Sequence, residues 1–182
     1  MNVLVAYASR HGATAGIAER VAAGLRSAGL QTDVSPVTDV RDVSAYGAFV
    51  IGGAAYMFHW LKDATVFVKR HRATLAERPV WLFSSGPLGT DLVDKEGRDV
   101  LETGRPKEFD DFKAMLRPRA ERVFFGAWDP SAPPIGVAEH LMHLAPAGKE
   151  AMPAGDFRDW PAIDAWAAEI AAELTLHEAR DR

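Results

Sequence analysis

The stretch Val3-Leu4-Val5-Ala6-Tyr7-Ala8-Ser9-Arg10-His11-Gly12-Ala13-Thr14 decides the fold of this chain. Its first part, Val3–Tyr7, is an apolar run with valines, typical of a strand buried on both faces of a parallel sheet. A helix is predicted after the loop, because apolar residues recur there at spacings of three and four and Gly29 stands where a left-handed helix end belongs. These apolar residues are Ile17, Val21, Leu25 and Ala28. A strand, a loop and a helix in this order begin an α/β unit.

Strand and helix patterns alternate along the rest of the chain. Further strands are predicted at Gln31–Val37, Ala48–Ile51, Val80–Phe83 and Arg122–Gly126. A helix between the third and fourth strands has an apolar face formed by Leu61, Ala64, Val68, His71 and Leu75. A weaker helix is predicted at Lys107–Leu116, and the Thr38–Ala45 connection is predicted as a short helix or a turn. The last helix has Pro161 near its first turn and a buried stripe of Ile163, Trp166, Ile170 and Leu174.

This alternation predicts an α/β fold with a doubly wound, five-stranded parallel sheet in a three-layer α/β/α arrangement. The chain of 182 residues is about one domain long, so residues 1–182 are predicted to form a single domain. Strand–helix units account for roughly 150 positions. The remainder is assigned to an insertion at residues 129–157, a proline-rich segment whose apolar residues cluster around Val137–Leu144.

Composition and charge exclude several classes of function. The chain has no Cys, which excludes disulfides, cysteine-ligated metal sites and thiol nucleophiles. Its formal net charge of -4 gives no attraction to nucleic acid or to anionic lipid. Val43–Leu61 carries no Asp, Glu, Lys or Arg, but glycines and His59 interrupt it, so it is interpreted as a strand entering a loop and not as a membrane span. With no secretory signal visible, the expected location is the cytoplasm.

Three loops are expected to meet at the carboxyl edge of the sheet, where ligands of open parallel sheets bind. The first, Ser9–Thr14, opens directly into the first helix, and its hydroxyls, glycine and backbone N–H groups suit a phosphate. Arg10 and His11 would add charge. The alternative is that Ser9 and Thr14 merely cap the helix.

The loops after the third and fourth strands would complete such a site. In Gly52–Trp60, small residues permit a ligand to approach the backbone, Tyr56 is interpreted as a ligand contact, and Phe58 and Trp60 as core. Ser84–Gly89 is a small, glycine-containing loop followed by a long connection, which indicates functional use. Together the loops offer a phosphate cradle, an aromatic wall and a flexible rim. A flat, phosphorylated cofactor fits all three.

The order and spacing of these segments resemble the flavodoxin family, and in particular its menaquinone-dependent protoporphyrinogen oxidase group. The resemblance rests on the Ser9–Thr14 loop, the run Ile51–His59, the sequence Phe67–His71 and the Asp159-Trp160 pair that opens the last helix. It implies a flavodoxin-like fold with FMN as cofactor. The residues implied at the FMN phosphate are Ser9, Arg10, His11, Gly12, Ala13 and Thr14. Those implied to flank the isoalloxazine are Gly53, Ala54, Ala55, Tyr56, Met57, Ser84, Ser85, Gly86, Pro87, Leu88 and Gly89.

The resemblance further implies oxidoreductase or electron-transfer chemistry. One version oxidises a small-molecule substrate, a porphyrinogen, with a quinone acceptor, and the other exchanges electrons with a redox partner protein. No catalytic side chain is assigned, because a flavin carries the reaction itself. A flavin-free binding or regulatory domain on the same fold is the alternative from another class.

The histidines are assigned other roles. His71, on the apolar face of its helix, is interpreted as a hydrogen-bonded structural residue. His59 lies nearer the expected cofactor site. The spacing of His140 and His143 would suit a metal, but without a third ligand nearby they are interpreted as a partner surface, and no metal is expected.

Overall fold

A central parallel sheet organises the molecule, of which the computed structural model describes residues 1–133, 135 and 153–180. The strands are β1 (Asn2–Ala8), β2 (Gln31–Pro36), β3 (Ala48–Tyr56), β4 (His59–Trp60), β5 (Val80–Ser85), β6 (Ala120–Phe124), β7 (Ala127–Trp128) and β8 (Gly155–Asp156). The helices are α1 (Ala13–Ser27), α2 (Lys62–Ala76), α3 (Val100–Thr103), α4 (Glu108–Leu116) and α5 (Trp160–Arg180). The parallel strands lie in the order β2-β1-β3-β5-β6, and the short β4 pairs antiparallel with the end of β3. The predicted five-stranded parallel sheet is confirmed.

Helices cover both faces of this sheet. On one face, α1 and α5 bury their predicted apolar stripes, which comprise Ile17, Val21, Leu25, Ile163, Trp166, Ile170 and Leu174. On the other face, α2 and α4 bury Phe67, Val68, Leu75, Phe109 and Phe112. Ala28 departs from the predicted stripe of α1: it lies just beyond the helix and is exposed. The helix ends there because Gly29, with φ of 87°, turns the chain away in the left-handed conformation.

The third strand is longer than predicted, because its glycines belong to the sheet. The prediction ended the strand at Ile51, but Gly52 and Gly53 continue the ladder with both β1 and β5. A Cβ on Gly53 would lie 2.7 Å from the indole nitrogen of Trp60, so this glycine makes room for a side chain of the protein itself. The strand therefore reaches the candidate ligand-binding edge of the sheet.

One other predicted strand differs in detail, whereas the Thr38–Ala45 connection takes the second of its two predicted forms, a turn. The prediction of a strand at Arg122–Gly126 is displaced: β6 begins at Ala120 and ends at Phe124, opposite the last residue of β5. Gly126 consequently lies in the loop beyond the strand. The Thr38–Ala45 connection contains turns and no helix.

His71 is a structural residue of α2. Its ring packs against Phe67, with 4.8 Å between the ring centroids. Its Nε2 atom is buried without a hydrogen-bond partner, so the predicted hydrogen bond is wrong for this atom. Burial, together with the nearby charge of Arg70, lowers the pKa of His71, although Asp42 acts in the opposite direction.

The insertion predicted at residues 129–157 lies largely outside the described residues, as do Val137–Leu144, His140 and His143. β7 lies just before it and β8 lies near its end, and the two strands pair antiparallel and bring Trp128 opposite Gly155. Within the described ranges, no helix combines the length and apolarity that a membrane crossing requires. The same ranges contain no cluster of three or more acidic or histidine side chains arranged to hold a metal ion.

Candidate functional site

A cavity of about 260 Å³ opens at the carboxyl edge of the sheet, beside the N-terminus of α1. The β1–α1 loop and the first turn of α1 line it with Ser9, Arg10, His11, Ala13 and Thr14. The end of β3 and the turn after it contribute Ala54, Ala55, Tyr56 and Met57, and β5 and its following loop contribute Ser85, Gly86 and Leu88. The topology thus brings the three predicted loops around one cavity, at the point between β1 and β3 where the strand order reverses.

A wider groove of about 750 Å³ runs between α1 and α5, far along the helices from this edge. Small and apolar residues line most of it, and its one carboxylate, Asp164, is paired with Arg20. It brings together no set of convergent polar groups of the kind that orients a small ligand. The cavity at the sheet edge is therefore the candidate site.

Five predicted site residues do not line the cavity: Gly12, Gly53, Ser84, Pro87 and Gly89. The carbonyl oxygen of Gly53 accepts hydrogen bonds from Trp60 Nε1 at 2.9 Å and from the Ser84 hydroxyl at 3.3 Å. Ser84 is fully buried. Gly53 and Ser84 therefore fix the adjoining ends of β3 and β5 to each other.

The loop between β1 and α1 is shaped by its glycine. Gly12 has φ of 84°, in the left-handed region that glycine adopts readily, and its N–H donates to Ser9 Oγ at 3.1 Å. α1 begins at Ala13 with no side-chain cap, so the alternative in which Ser9 or Thr14 caps the helix is wrong. The first N–H groups of α1 lack intrahelical acceptors and, with the helix dipole, favour an anion at this point.

Thr14 joins this first turn of α1 to the end of β5. Its side chain is fully buried, and its Oγ1 shares a 2.7 Å hydrogen bond with Ser85 Oγ. The hydroxyl predicted to face a phosphate is thus engaged by β5. Its position fixes the distance between two of the walls of the cavity.

A fourth wall, which the sequence analysis did not include, consists of Gly126, Ala127 and Trp128. The Trp128 ring meets the His11 ring edge-on, with 5.8 Å between centroids. Through the β7–β8 pair this wall adjoins Arg158, which donates to both carboxylate oxygens of Asp156 and to the carbonyl oxygen of Ala13 in α1. In the sequence, the one sign of this wall is the aromatic residue Trp128 shortly after β6.

The turn between β3 and β4 forms the aromatic wall. Arg10 places its guanidinium 4.8 Å from the ring centroid of Tyr56, so this wall contacts the β1–α1 loop. Met57 is 89% exposed and Phe58 53% exposed, which makes the prediction of Phe58 as a core residue wrong. Trp60 is buried as predicted, between β3 and the phenyl rings of α4.

Glu108, at the start of α4, holds this turn from behind. Its Oε1 lies 2.8 Å from His59 Nδ1, and its Oε2 accepts the backbone N–H of Trp60 at 3.0 Å. Burial alone would raise the pKa of Glu108, but the hydrogen bonds from Trp60 and His59 outweigh it and hold the pKa below its usual value. Glu108 therefore remains ionised at neutral pH, as an acceptor for both groups.

Comparison with solved structures agrees with this fold. Similar solved structures include an archaeal flavodoxin, at 15% identity and a TM-score of 0.58, and a mutant of the Pseudomonas aeruginosa flavodoxin, at 16% and 0.59. Each alignment covers 96% of this chain and 99% of the other. The rubredoxin oxygen:oxidoreductase of Desulfovibrio gigas aligns with a TM-score of 0.61 at 12% identity, over 96% of this chain and 36% of that one. At these identities the likeness shows the fold.

Family membership rests on a separate comparison of the sequence. No curated protein matches the chain. A family model described as a flavodoxin domain, however, matches residues 4–132, which is most of the chain and extends from within β1 to beyond β7. The chain therefore belongs to the flavodoxin domain family.

Proposed function

We propose that the cavity at the sheet edge binds FMN and that the chain is a flavin-dependent oxidoreductase or electron-transfer protein. The observation that carries this proposal is the meeting of two different environments in one cavity. Part of its lining is the N-terminus of α1 with His11, and part is formed by Tyr56, Met57 and Leu88, with the Arg10 guanidinium against the Tyr56 ring. A phosphorylated planar cofactor has the same two-part chemistry.

The polar end suits the phosphate of FMN. Backbone N–H groups of Ala13 and Thr14 lie in the first turn of α1, where the helix dipole also favours an anion. The Arg10 guanidinium, which contacts the Tyr56 ring, adds a full positive charge to the lining of the cavity. In this proposal Ser9 acts indirectly, because its oxygen accepts the Gly12 N–H and so holds the loop in shape.

The apolar end suits the isoalloxazine ring. Ala54, Ala55 and Gly86 keep the floor flat, while Tyr56 and Trp128 offer aromatic surfaces for packing. When bound there, FMN would supply the electron transfer itself. The chain's residues would orient the ring, exclude water from its faces and leave one edge accessible beside the exposed Met57.

Within this function we propose an apolar acceptor, a quinone, rather than only a protein partner. A second groove of about 250 Å³ adjoins the cavity and shares Ala55, Met57 and Gly86 with it. The rest of its lining is mostly apolar and consists of Phe58, Pro87, Val100, Thr103 and Gly104, so it offers a planar apolar molecule a place next to the cofactor. Oxidation of a porphyrinogen-like substrate and a cytoplasmic location belong to this proposal.

The first experiment is a titration of the flavin-free chain with FMN and with riboflavin, followed by flavin fluorescence. We expect FMN to bind and riboflavin to bind more weakly, because riboflavin lacks the phosphate. A chain that binds neither flavin would instead be a flavin-free domain on this fold. Equal affinity for both flavins would show that the N-terminus of α1 does not bind the phosphate.

A second experiment separates enzyme from carrier. The FMN-loaded chain is reduced anaerobically, and its reoxidation is followed with a soluble quinone and with an oxidised electron-transfer protein. Faster reoxidation by the quinone supports the proposed acceptor. Reoxidation only by the protein would favour a carrier.

A further inference from the structure

The turn between β3 and β4 is not stabilised by its own sequence. Met57 and Phe58 have φ of 50° and 64°, in the left-handed region where large side chains are disfavoured and glycine or asparagine is usual. The ladder that closes the turn has only two residue pairs, Ala55 with Trp60 and Tyr56 with His59. A hairpin of this size is marginal by itself, so groups outside it must hold it in place.

The N-terminus of α4 supplies those groups. Both carboxylate oxygens of Glu108 bind β4, one at His59 Nδ1 and the other at the Trp60 N–H. The preceding residue, Lys107, donates its backbone N–H to the carbonyl oxygen of Phe58 at 3.0 Å. The hairpin is therefore attached to α4 at three consecutive residues.

The support behind this attachment is rigid. The Trp60 indole lies between the β3 backbone and two buried rings of α4, with centroid distances of 5.2 Å to Phe109 and 5.6 Å to Phe112. Its Nε1 is hydrogen-bonded to Gly53. Glu108 thus connects a fixed helix to a strained turn whose other side, Tyr56 and Met57, lines the cavity.

We propose that Glu108, which does not line the cavity, is a positioning residue for it: its carboxylate holds the β3–β4 turn so that Tyr56 and Met57 form the wall against the flavin. This inference rests on the proposed function. The role is geometric: it depends on a side chain long enough to contact both the Trp60 N–H and His59 Nδ1.

Three substitutions of Glu108 separate reach from charge. Glu108→Gln removes the charge but keeps the length: its oxygen can accept the Trp60 N–H, and its NH2 group can donate to His59 Nδ1 in the tautomer in which that nitrogen is the acceptor. Glu108→Asp keeps the charge and shortens the side chain, and Glu108→Ala removes both. The matched control is Asp111→Ala, which deletes another acidic side chain from the first turn of α4, at an exposed position.

We expect Glu108→Asp and Glu108→Ala to weaken FMN binding about tenfold, or ~1.4 kcal/mol, and Glu108→Gln to stay within about threefold of the unchanged chain. The visible circular dichroism of bound FMN, which reports the surroundings of the ring, should change in the Asp and Ala variants only. Asp111→Ala should leave both measurements unchanged. If the Glu108→Ala variant fails to fold, the comparison of Glu108→Asp with Glu108→Gln still separates reach from charge.

Amide hydrogen exchange in the flavin-free chain provides a readout independent of the cofactor. The Trp60 amide should exchange faster in the Asp and Ala variants than in the Gln variant. Equal FMN affinity in all four variants, or loss in Gln with retention in Asp, overturns the positioning role. If the unchanged chain binds no FMN, the proposed function fails as well, and exchange at Trp60 still shows whether Glu108 holds the turn.

Discussion

Thr14 Oγ1 and Ser85 Oγ, 71 residues apart in the chain, share a buried hydrogen bond of 2.7 Å. The bond joins the first turn of α1 to the last residue of β5. Two walls of the cavity therefore keep a fixed separation before any ligand arrives. Such preorganisation lowers the entropic cost of binding.

The first prediction concerns this bond. Thr14→Val keeps the shape of the side chain but leaves the Ser85 hydroxyl buried without a partner, which should lower the free energy of unfolding by about 1–3 kcal/mol. Urea denaturation measures the change. Thr38→Val is the control, because Thr38 is exposed and its hydroxyl binds only the neighbouring Asp39. An equal effect of the two substitutions would show that the Thr14–Ser85 bond contributes no net stability.

The second prediction compares two left-handed glycines. Gly12 and Gly29 have φ of 84° and 87°, and a Cβ at either would meet no atom within 4 Å. Gly12→Ala and Gly29→Ala should therefore each cost roughly 1–2 kcal/mol through backbone strain alone. Only Gly12→Ala should also weaken FMN binding, because Gly12 shapes the loop at the phosphate end. Loss of affinity in the Gly29 variant would indicate a general effect on the fold.

The third prediction compares two tryptophans with opposite hydrogen bonding. Trp128 Nε1 is buried without a partner, so Trp128→Phe removes no hydrogen bond and should leave the free energy of unfolding unchanged or higher by up to about 1 kcal/mol. Trp60→Phe removes the 2.9 Å bond to Gly53 and should lower it by at least about 1 kcal/mol. Thermal and urea unfolding of both variants test this difference. A larger loss at Trp128 would contradict the prediction.

The fourth prediction concerns pH and His71. Because burial lowers the pKa of His71 in the folded chain, the unfolded chain takes up a proton first as the pH falls. The neutral His71 ring therefore makes its full contribution to the free energy of unfolding above about pH 6.5, the ordinary pKa of histidine. This contribution is lost as the pH falls below that value. Urea unfolding of the unchanged chain and of His71→Leu at about pH 8 and pH 5 measures the effect, since only the former loses this contribution. Parallel pH dependence in the two proteins would exclude His71 as its source.

The order of strands and helices was predictable because its signals are local. Val3–Tyr7 is uniformly apolar, and Ile163, Trp166, Ile170 and Leu174 recur at helical spacing, so neither segment depends on distant residues to be recognised. The edge of the sheet where the loops meet follows from this alternation through the general behaviour of parallel sheets. The cavity is found at that edge.

The features of the fold and the site that were not predicted depend on contacts between residues far apart in the sequence. Gly52 and Gly53 belong to β3 because the Phe83 ring packs on the backbone at Gly52 and the Trp60 indole packs on it at Gly53, and no local pattern of glycines reveals these contacts. Trp128 contacts the His11 ring from β7, a strand whose pairing with β8 joins segments far apart in the sequence. Glu108 is 49 residues from His59, and as one of several acidic residues in the first turn of a helix it resembles a residue placed there for the helix dipole.

The positive φ angles of Met57 and Phe58 also have an evolutionary consequence. Glycine at either position would relieve the backbone and make the protein more stable, but it would remove a large apolar side chain from the wall of the cavity or from the adjoining groove. Selection for stability alone would replace these residues. Their presence at strained positions marks the turn as a place where the chain has given up stability in exchange for a surface.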